Sequence, residues 1–206
     1  MHDGSGTLQT VDGVALAAEW SVPDRPVAAA VLAHPHPLMG GTMHVPVIDA
    51  LFRDLPGHGV AVLRFDFRGA GGSGGTHSGG PAEADDLRAA SERLGALATG
   101  VPRWLVGWSF GADVALQGTD DDGHGWRLLA LPLASVPAED RRAAADPRPK
   151  LLLVPQHDEY RDPSSAQAEV AGWVATTIEV LPGTDHFLTG RLALVTELVA
   201  AAVGAR

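Results

Sequence analysis

The 206-residue sequence has no cysteine. That excludes disulfides, thiolate metal sites and cysteine nucleophiles together, but leaves the compartment open, because secreted proteins can also lack cysteine. Positive charge is scarce as well: 15 Lys and Arg against 25 Asp and Glu give a formal charge of -10. The average surface field therefore repels phosphate backbones and anionic membranes, and no nucleic-acid partner is expected. Also missing is any apolar run long enough to span a bilayer, and residues 1–6 have neither the basic nor the apolar region of a signal peptide. These absences point to a cytoplasmic protein without a membrane partner. What is present, 45% hydrophobic residues, can bury a substantial core and suits one domain spanning residues 1–206.

Asp12-Gly13 separates two segments, 7–11 and 14–20. Both turn positions tolerate positive φ, so the chain is expected to open with an antiparallel hairpin. Beyond it, the runs at 27–33, 60–65, 104–106, 128–133, 151–154 and 177–181 are short and nearly continuous, the pattern of strands buried on both faces. Stretches of helical composition lie between them, near 45–55, 81–98, 110–117, 163–174 and 192–203. This alternation predicts an α/β fold, a mostly parallel sheet with helices on both faces. Between Leu133 and Lys150 there is room for one short helix, too little for a lid domain.

Gly107-Trp108-Ser109-Phe110-Gly111 matches G-x-S-x-G at the junction between an expected strand and an expected helix. In an α/β-hydrolase this is the sharp turn that exposes a nucleophilic serine, and it puts the N–H of Phe110 at a helix start, where it can stabilise an oxyanion. A serine hydroxyl needs a base, and this fold orders its residues Ser, then Asp or Glu, then His. Of the later histidines, His124 sits in an Asp- and Gly-rich turn. His186 follows the 177–181 strand across a short loop, where α/β sheets place their sites. His186 is thus the expected base. The acid should end the preceding strand, which selects Asp158, with Glu159 as a substitute one position on. Asp185 ranks lower, because adjacent loop residues usually point apart.

The 27–33 strand ends in His34-Pro35-His36-Pro37-Leu38, where this fold puts its second oxyanion donor. The prolines have no N–H, so His36 is the first candidate and Leu38 the second. A metal site of His34 and His36 with His44 and His157 is disfavoured, because i,i+2 histidines suit a strand better than a proline-broken turn. For His34 a backbone hydrogen bond or packing beneath the site is expected instead. Gly69-Ala70-Gly71-Gly72-Ser73-Gly74 satisfies G-x-G-x-x-G but opens no helix and lies outside the first βαβ unit, which argues against a dinucleotide. It reads as a turn at the cleft, braced by Asp66 and Arg68. The expected site uses neither cofactor nor metal.

Together, His34-Pro35-His36-Pro37, Arg64-Phe65-Asp66-Phe67-Arg68-Gly69, Gly107-Trp108-Ser109-Phe110-Gly111 and Asp185-His186-Phe187 resemble small lidless bacterial α/β-hydrolases related to dienelactone hydrolase. The resemblance runs from about Val27 to Leu192. It implies an α/β-hydrolase fold of about eight strands and a Ser109, Asp158, His186 triad. Dienelactone hydrolase itself uses a cysteine nucleophile, so that particular activity is not implied. The expected function is hydrolysis of a small ester or thioester through an acyl-enzyme, with His36 and Phe110 N–H groups holding the oxyanion. The alternative is a non-catalytic binding or scaffold protein on the same fold. Nothing in the sequence specifies an oligomeric state.

Overall fold

A computed structural model describes residues 1–118 and 123–204. The chain opens with the expected hairpin: β1 (His2–Gln9) pairs antiparallel with β2 (Ala15–Val22). Gly13 takes the positive φ (+83°) that the turn requires. Six strands follow, β3 (Ala28–Ala33), β4 (Val60–Phe65), β5 (Arg103–Trp108), β6 (Gly125–Leu129), β7 (Lys150–Pro155) and β8 (Thr176–Leu181). They form one eight-stranded sheet in the order β1-β2-β4-β3-β5-β6-β7-β8. β3 to β8 pair in parallel, and β2 joins β4 antiparallel.

Among the described residues five α-helices cover the sheet: α1 (Pro46–Asp54), α2 (Glu83–Leu97), α3 (Phe110–Ala115), α4 (Pro163–Glu169) and α5 (Leu192–Ala202). Side chains alternate along β3, so Ala29, Val31 and Ala33 pack with α2 and α3, whereas Ala28, Ala30 and Leu32 pack with α1 and α5. Every residue of β3 and β4 is buried, as continuous apolar runs in a two-sided sheet require. Among the described residues no helix is long and apolar enough to cross a membrane.

Four expectations need correction. The strand expected at 128–133 starts and ends earlier, at Gly125–Leu129. After it, Ala130 and Leu133 take positive φ (46° and 57°), and the N–H groups of Leu133, Ala134 and Ser135 bond to the buried Asp113 carboxylate of α3 at 2.7 to 2.8 Å. The ladder ends where Ala130 turns out of extended geometry, and Asp113 holds the loop that follows. β8 is an edge strand and only partly buried, so its apolar run does not mean burial on both faces. α4 stops at Glu169, five residues before the expected end. Between Leu133 and Lys150 the chain forms two 3₁₀ turns, Ala138–Asp140 and Arg142–Ala145, in place of one helix, and no lid domain. The acidic turn before His124 includes residues 120–122, outside the described residues.

Buried polar anchors set the loops at the carboxyl ends of the strands. Asp66 accepts N–H groups from Met43 (2.8 Å) and Gly72 (3.0 Å), and a Cβ on Gly71 would lie 2.0 Å from its carboxylate. Arg68 pairs with Asp86 and Asp12 at 2.7 and 2.8 Å. The glycine-rich turn is thus braced as expected. Gly69, Ala70, Gly72, Ser73 and Gly74 spend their N–H groups on the chain's own oxygens, and the next helix begins only at Glu83. Those five donors are not available to a phosphate.

His34, fully buried, bonds Pro35 O through Nδ1 (2.6 Å) and accepts the Phe67 N–H at Nε2 (2.9 Å), so it stitches the His-Pro loop to the end of β4. Burial pushes its pKa from 6.5 down to about 4, against opposing contributions from the Pro35 carbonyl and Asp66. The native state holds His34 neutral, while the unfolded chain takes up a proton below about pH 6.5. Its contribution to stability is therefore complete above that pH and is lost as the pH falls toward 4, by up to about 3 kcal/mol. Urea unfolding from pH 7 to pH 4 should show this loss, and His34→Gln should flatten the slope; equal slopes for the two proteins would refute the assignment.

Candidate active site

The turn between β5 and α3 places Ser109 at φ 55°, ψ -120°, a conformation that costs a non-glycine residue roughly 1 to 3 kcal/mol. Two close approaches hold it there. A Cβ on Gly107 would lie 2.4 Å from Gly111 O, and one on Gly111 would lie 2.3 Å from Ala33 O. Only hydrogen fits at either position, so the glycines of the motif are required by contact and not by φ. The Ser109 N–H bonds Leu129 O at 2.9 Å, which ties the elbow to β6.

The β8–α5 loop carries His186 and the loop after β7 carries Asp158, so the two meet Ser109 above adjacent strands. His186 Nε2 lies 2.9 Å from Ser109 Oγ. Its Nδ1 lies 3.0 and 2.9 Å from the two Asp158 oxygens. Both partners are buried, with side-chain exposures of 5% and 1%. Asp158 Oδ1 also accepts the N–H groups of Tyr160 (2.9 Å) and Arg161 (3.3 Å), which orient the carboxylate. A carboxylate on Nδ1 favours the tautomer with its proton there, leaving Nε2 free to accept from serine.

His36 and Phe110 line the same cavity as Ser109, and among the described residues neither backbone N–H has an acceptor. Phe110 opens α3, where N–H groups lack intrahelical partners. Leu38, the other candidate donor, spends its N–H on His36 Nδ1 at 3.2 Å. Burial, with the neighbouring His77, holds the His36 ring below the usual histidine range, and a neutral ring suits a nitrogen that accepts an N–H. Among the described residues no three His, Cys, Asp or Glu side chains converge as a metal site.

Glu159, the substitute acid, is exposed, and Asp185 accepts the Thr189 N–H at 3.1 Å; among the described residues the carboxylate bonded to the His186 ring is that of Asp158. His124 packs on Trp104 at the amino ends of β5 and β6, away from Ser109. Sequence reasoning missed the aromatic residues around the imidazole. Trp108 Nε1 donates to His186 O at 3.1 Å, and the Tyr160 ring sits 4.4 Å from the His186 ring. Their proximity to Ser109 and Asp158 in the chain was the available signal, but adjacency does not say which way a ring turns. The cavity, about 580 Å³, is walled mainly by Met39, Val45, Trp108, Pro132, Tyr160 and Phe187, and none of the described residues lining it is Asp, Glu, Lys or Arg. At its mouth Met39, Tyr160 and Phe187 are exposed.

Known proteins share this architecture. A lidless α/β serine hydrolase from Xanthomonas campestris is 27% identical and superposes with a TM-score of 0.86, over 99% of this chain and 94% of that one. An α/β serine hydrolase homologue from Coxiella burnetii is also 27% identical, with a TM-score of 0.83 over 98% of each chain. An uncharacterized protein of Rickettsia prowazekii (strain Madrid E) is 29% identical over 180 residues, 82% of this chain and 75% of that protein. Residues 25–139 match the profile of the family described as serine aminopeptidase, S33, more than half of the sequence, and the chain therefore belongs to that family of serine hydrolases.

Proposed function

We propose that the protein hydrolyses small, uncharged esters or thioesters through an acyl-enzyme on Ser109. The observation that carries this reading is the hydrogen-bonded series from Ser109 Oγ to His186 Nε2 and from Nδ1 to Asp158. Ser109 Oγ attacks the acyl carbon as His186 takes its proton, and the carbonyl oxygen becomes an oxyanion held by the N–H groups of His36 and Phe110. Collapse expels the leaving group, which receives that proton from His186. Water then attacks the acyl-enzyme by the same route in reverse roles, releasing the acid and free Ser109. Asp158 orients the ring and stabilises the imidazolium without itself taking the proton.

The lining supports an uncharged substrate. An aminopeptidase must hold a free α-ammonium, and in this cavity that charge would lose water without gaining a carboxylate partner, a cost of several kcal/mol. The open, lidless mouth suits short or exposed acyl groups over long lipid chains. Kinship with dienelactone hydrolase-like enzymes and a cytoplasmic location are part of the proposal.

A fluorophosphonate probe should label wild type and fail on Ser109→Ala, with His186→Ala strongly slowed. Equal labelling of all three would sink the mechanism, and no labelling of wild type would favour a non-catalytic binding protein. p-Nitrophenyl butyrate should be turned over with a kcat/KM at least about 100-fold above that for leucine p-nitroanilide; the reverse order would establish an aminopeptidase.

The acid is tested separately. Asp158→Asn should lower kcat by on the order of 10⁴-fold, because it favours the wrong imidazole tautomer, while Glu159→Gln stays within about twofold of wild type, as a surface change should. Steady-state kinetics on one ester would decide, and the opposite ranking would make Glu159 the acid.

A further inference from the structure

The segment between the glycine-rich turn and α2 has no part in the chemistry above, yet it buries two titratable side chains behind the cavity. Glu83, the first residue of α2, is fully buried. Burial alone would push its carboxyl up, but the Ser78 hydroxyl (2.5 Å) and the N–H groups of Ser78 (2.7 Å) and Gly80 (2.8 Å) hold it below the usual range. It is therefore kept as an anion by the loop that wraps it. His77 Nδ1 stands 2.8 Å from Glu83 Oε1, and its side chain is 7% exposed. Among the described residues Nδ1 makes no hydrogen bond, so the carboxylate serves as the wall against which this edge of the ring packs.

The other side of that ring meets both residues that offer N–H groups to the oxyanion. His77 lies 4.7 Å from the His36 ring and 5.2 Å from the Phe110 ring, and His36 and Phe110 are 5.0 Å apart. The three rings form a closed triangle of edge and tilted contacts, the geometries that aromatic pairs favour. Phe110 is further fixed by Phe67 at 5.5 Å. The His36 backbone is held within its own loop, where its carbonyl accepts the N–H groups of Met39 and Gly41 (3.0 and 3.1 Å) and its Nδ1 that of Leu38, while its partly buried ring packs, among the ring contacts of the described residues, on His77 and Phe110.

We propose that His77, held by Glu83, is a positioning residue for the oxyanion hole, setting the distance between the His36 and Phe110 N–H groups by packing against both rings. The inference rests on the serine-hydrolase reading above. Donor placement is costly to disturb, since removing one oxyanion donor lowers kcat about 10² to 10³-fold. Because the donors act on the oxyanion and not on bound substrate, displacement lowers kcat while KM stays nearly constant.

The test is ester hydrolysis by wild type, Ser109→Ala, His77→Ala, His77→Phe and Glu83→Gln, with active sites counted by fluorophosphonate titration so that unfolded protein does not enter kcat. His77→Ala is expected to lose kcat about tenfold or more at a KM within about twofold of wild type. His77→Phe, which restores the ring, should recover part of that loss. Should His77→Ala not fold, Glu83→Gln reads the same device and should lower kcat several-fold at unchanged KM. Wild-type kcat per active site in His77→Ala, a loss confined to KM, or no recovery in His77→Phe would overturn the proposal. Activity surviving in Ser109→Ala would instead overturn the underlying reading, so the two failures are distinguishable.

Discussion

The site depends on how closely the chain passes itself at Gly107 and Gly111. A Cβ at either position would fall within 2.4 Å of a backbone oxygen, less than any van der Waals contact allows. With hydrogen there, α3 packs directly onto the ends of β3 and β5, and Ser109 is forced into positive φ at the tip. The strain is local and is held by the burial around it, since Ala112, Val114 and Ala115 of α3 are inaccessible to solvent. The packed α3 also carries Asp113, whose carboxylate gathers three N–H groups of the loop after β6. That loop supplies Ala134 and Ser135 to the cavity wall.

Polar groups removed from water account for most of the remaining order at the sheet's carboxyl end. His34, Asp66, Arg68, Glu83 and Asp113 are all buried, and each bonds to loop backbone or to an opposite charge. Leaving one of them unpaired would cost about 1 to 3 kcal/mol, more for a charge, so every loop they hold has one favoured position. Catalytic geometry needs that kind of support, because loops by themselves are poorly placed. The sheet contributes register: β5, β6, β7 and β8 lie side by side, which brings residues 109, 158 and 186 together although 77 positions separate the first from the last.

Much of this was legible in the sequence, for physical reasons. Continuous Val, Leu and Ala runs revealed β3, β4 and β7 because two-sided burial tolerates little else. The Asp12-Gly13 turn located the first hairpin, and G-x-S-x-G located the elbow because the close approach admits only glycine. Chain order left His124, His157 and His186, and position after a strand then selected His186 and Asp158, with Glu159 as a substitute; in the structure His186 and Asp158 are the pair that meets Ser109. The same run-based reading misplaced β6, whose apolar stretch continues past Ala130, where positive φ turns the chain out of the strand, and it overstated the burial of β8, since an edge strand can be as apolar as an inner one.

Composition and local pattern determined the α/β class, the strand-to-helix turn at Ser109 and the short list of partners, because each follows from burial periodicity or from a steric demand within a few residues. Tertiary structure alone decided that Leu38 N–H goes to His36, that Trp108 holds the His186 carbonyl, that Tyr160 lies against the imidazole, and that His77 and Glu83 stand behind the two candidate oxyanion donors. Apart from the Leu38 bond, which is local to its loop, those contacts join segments that follow different strands, and the direction a ring or carboxylate takes in them is set by packing at a distance that no local sequence signal encodes.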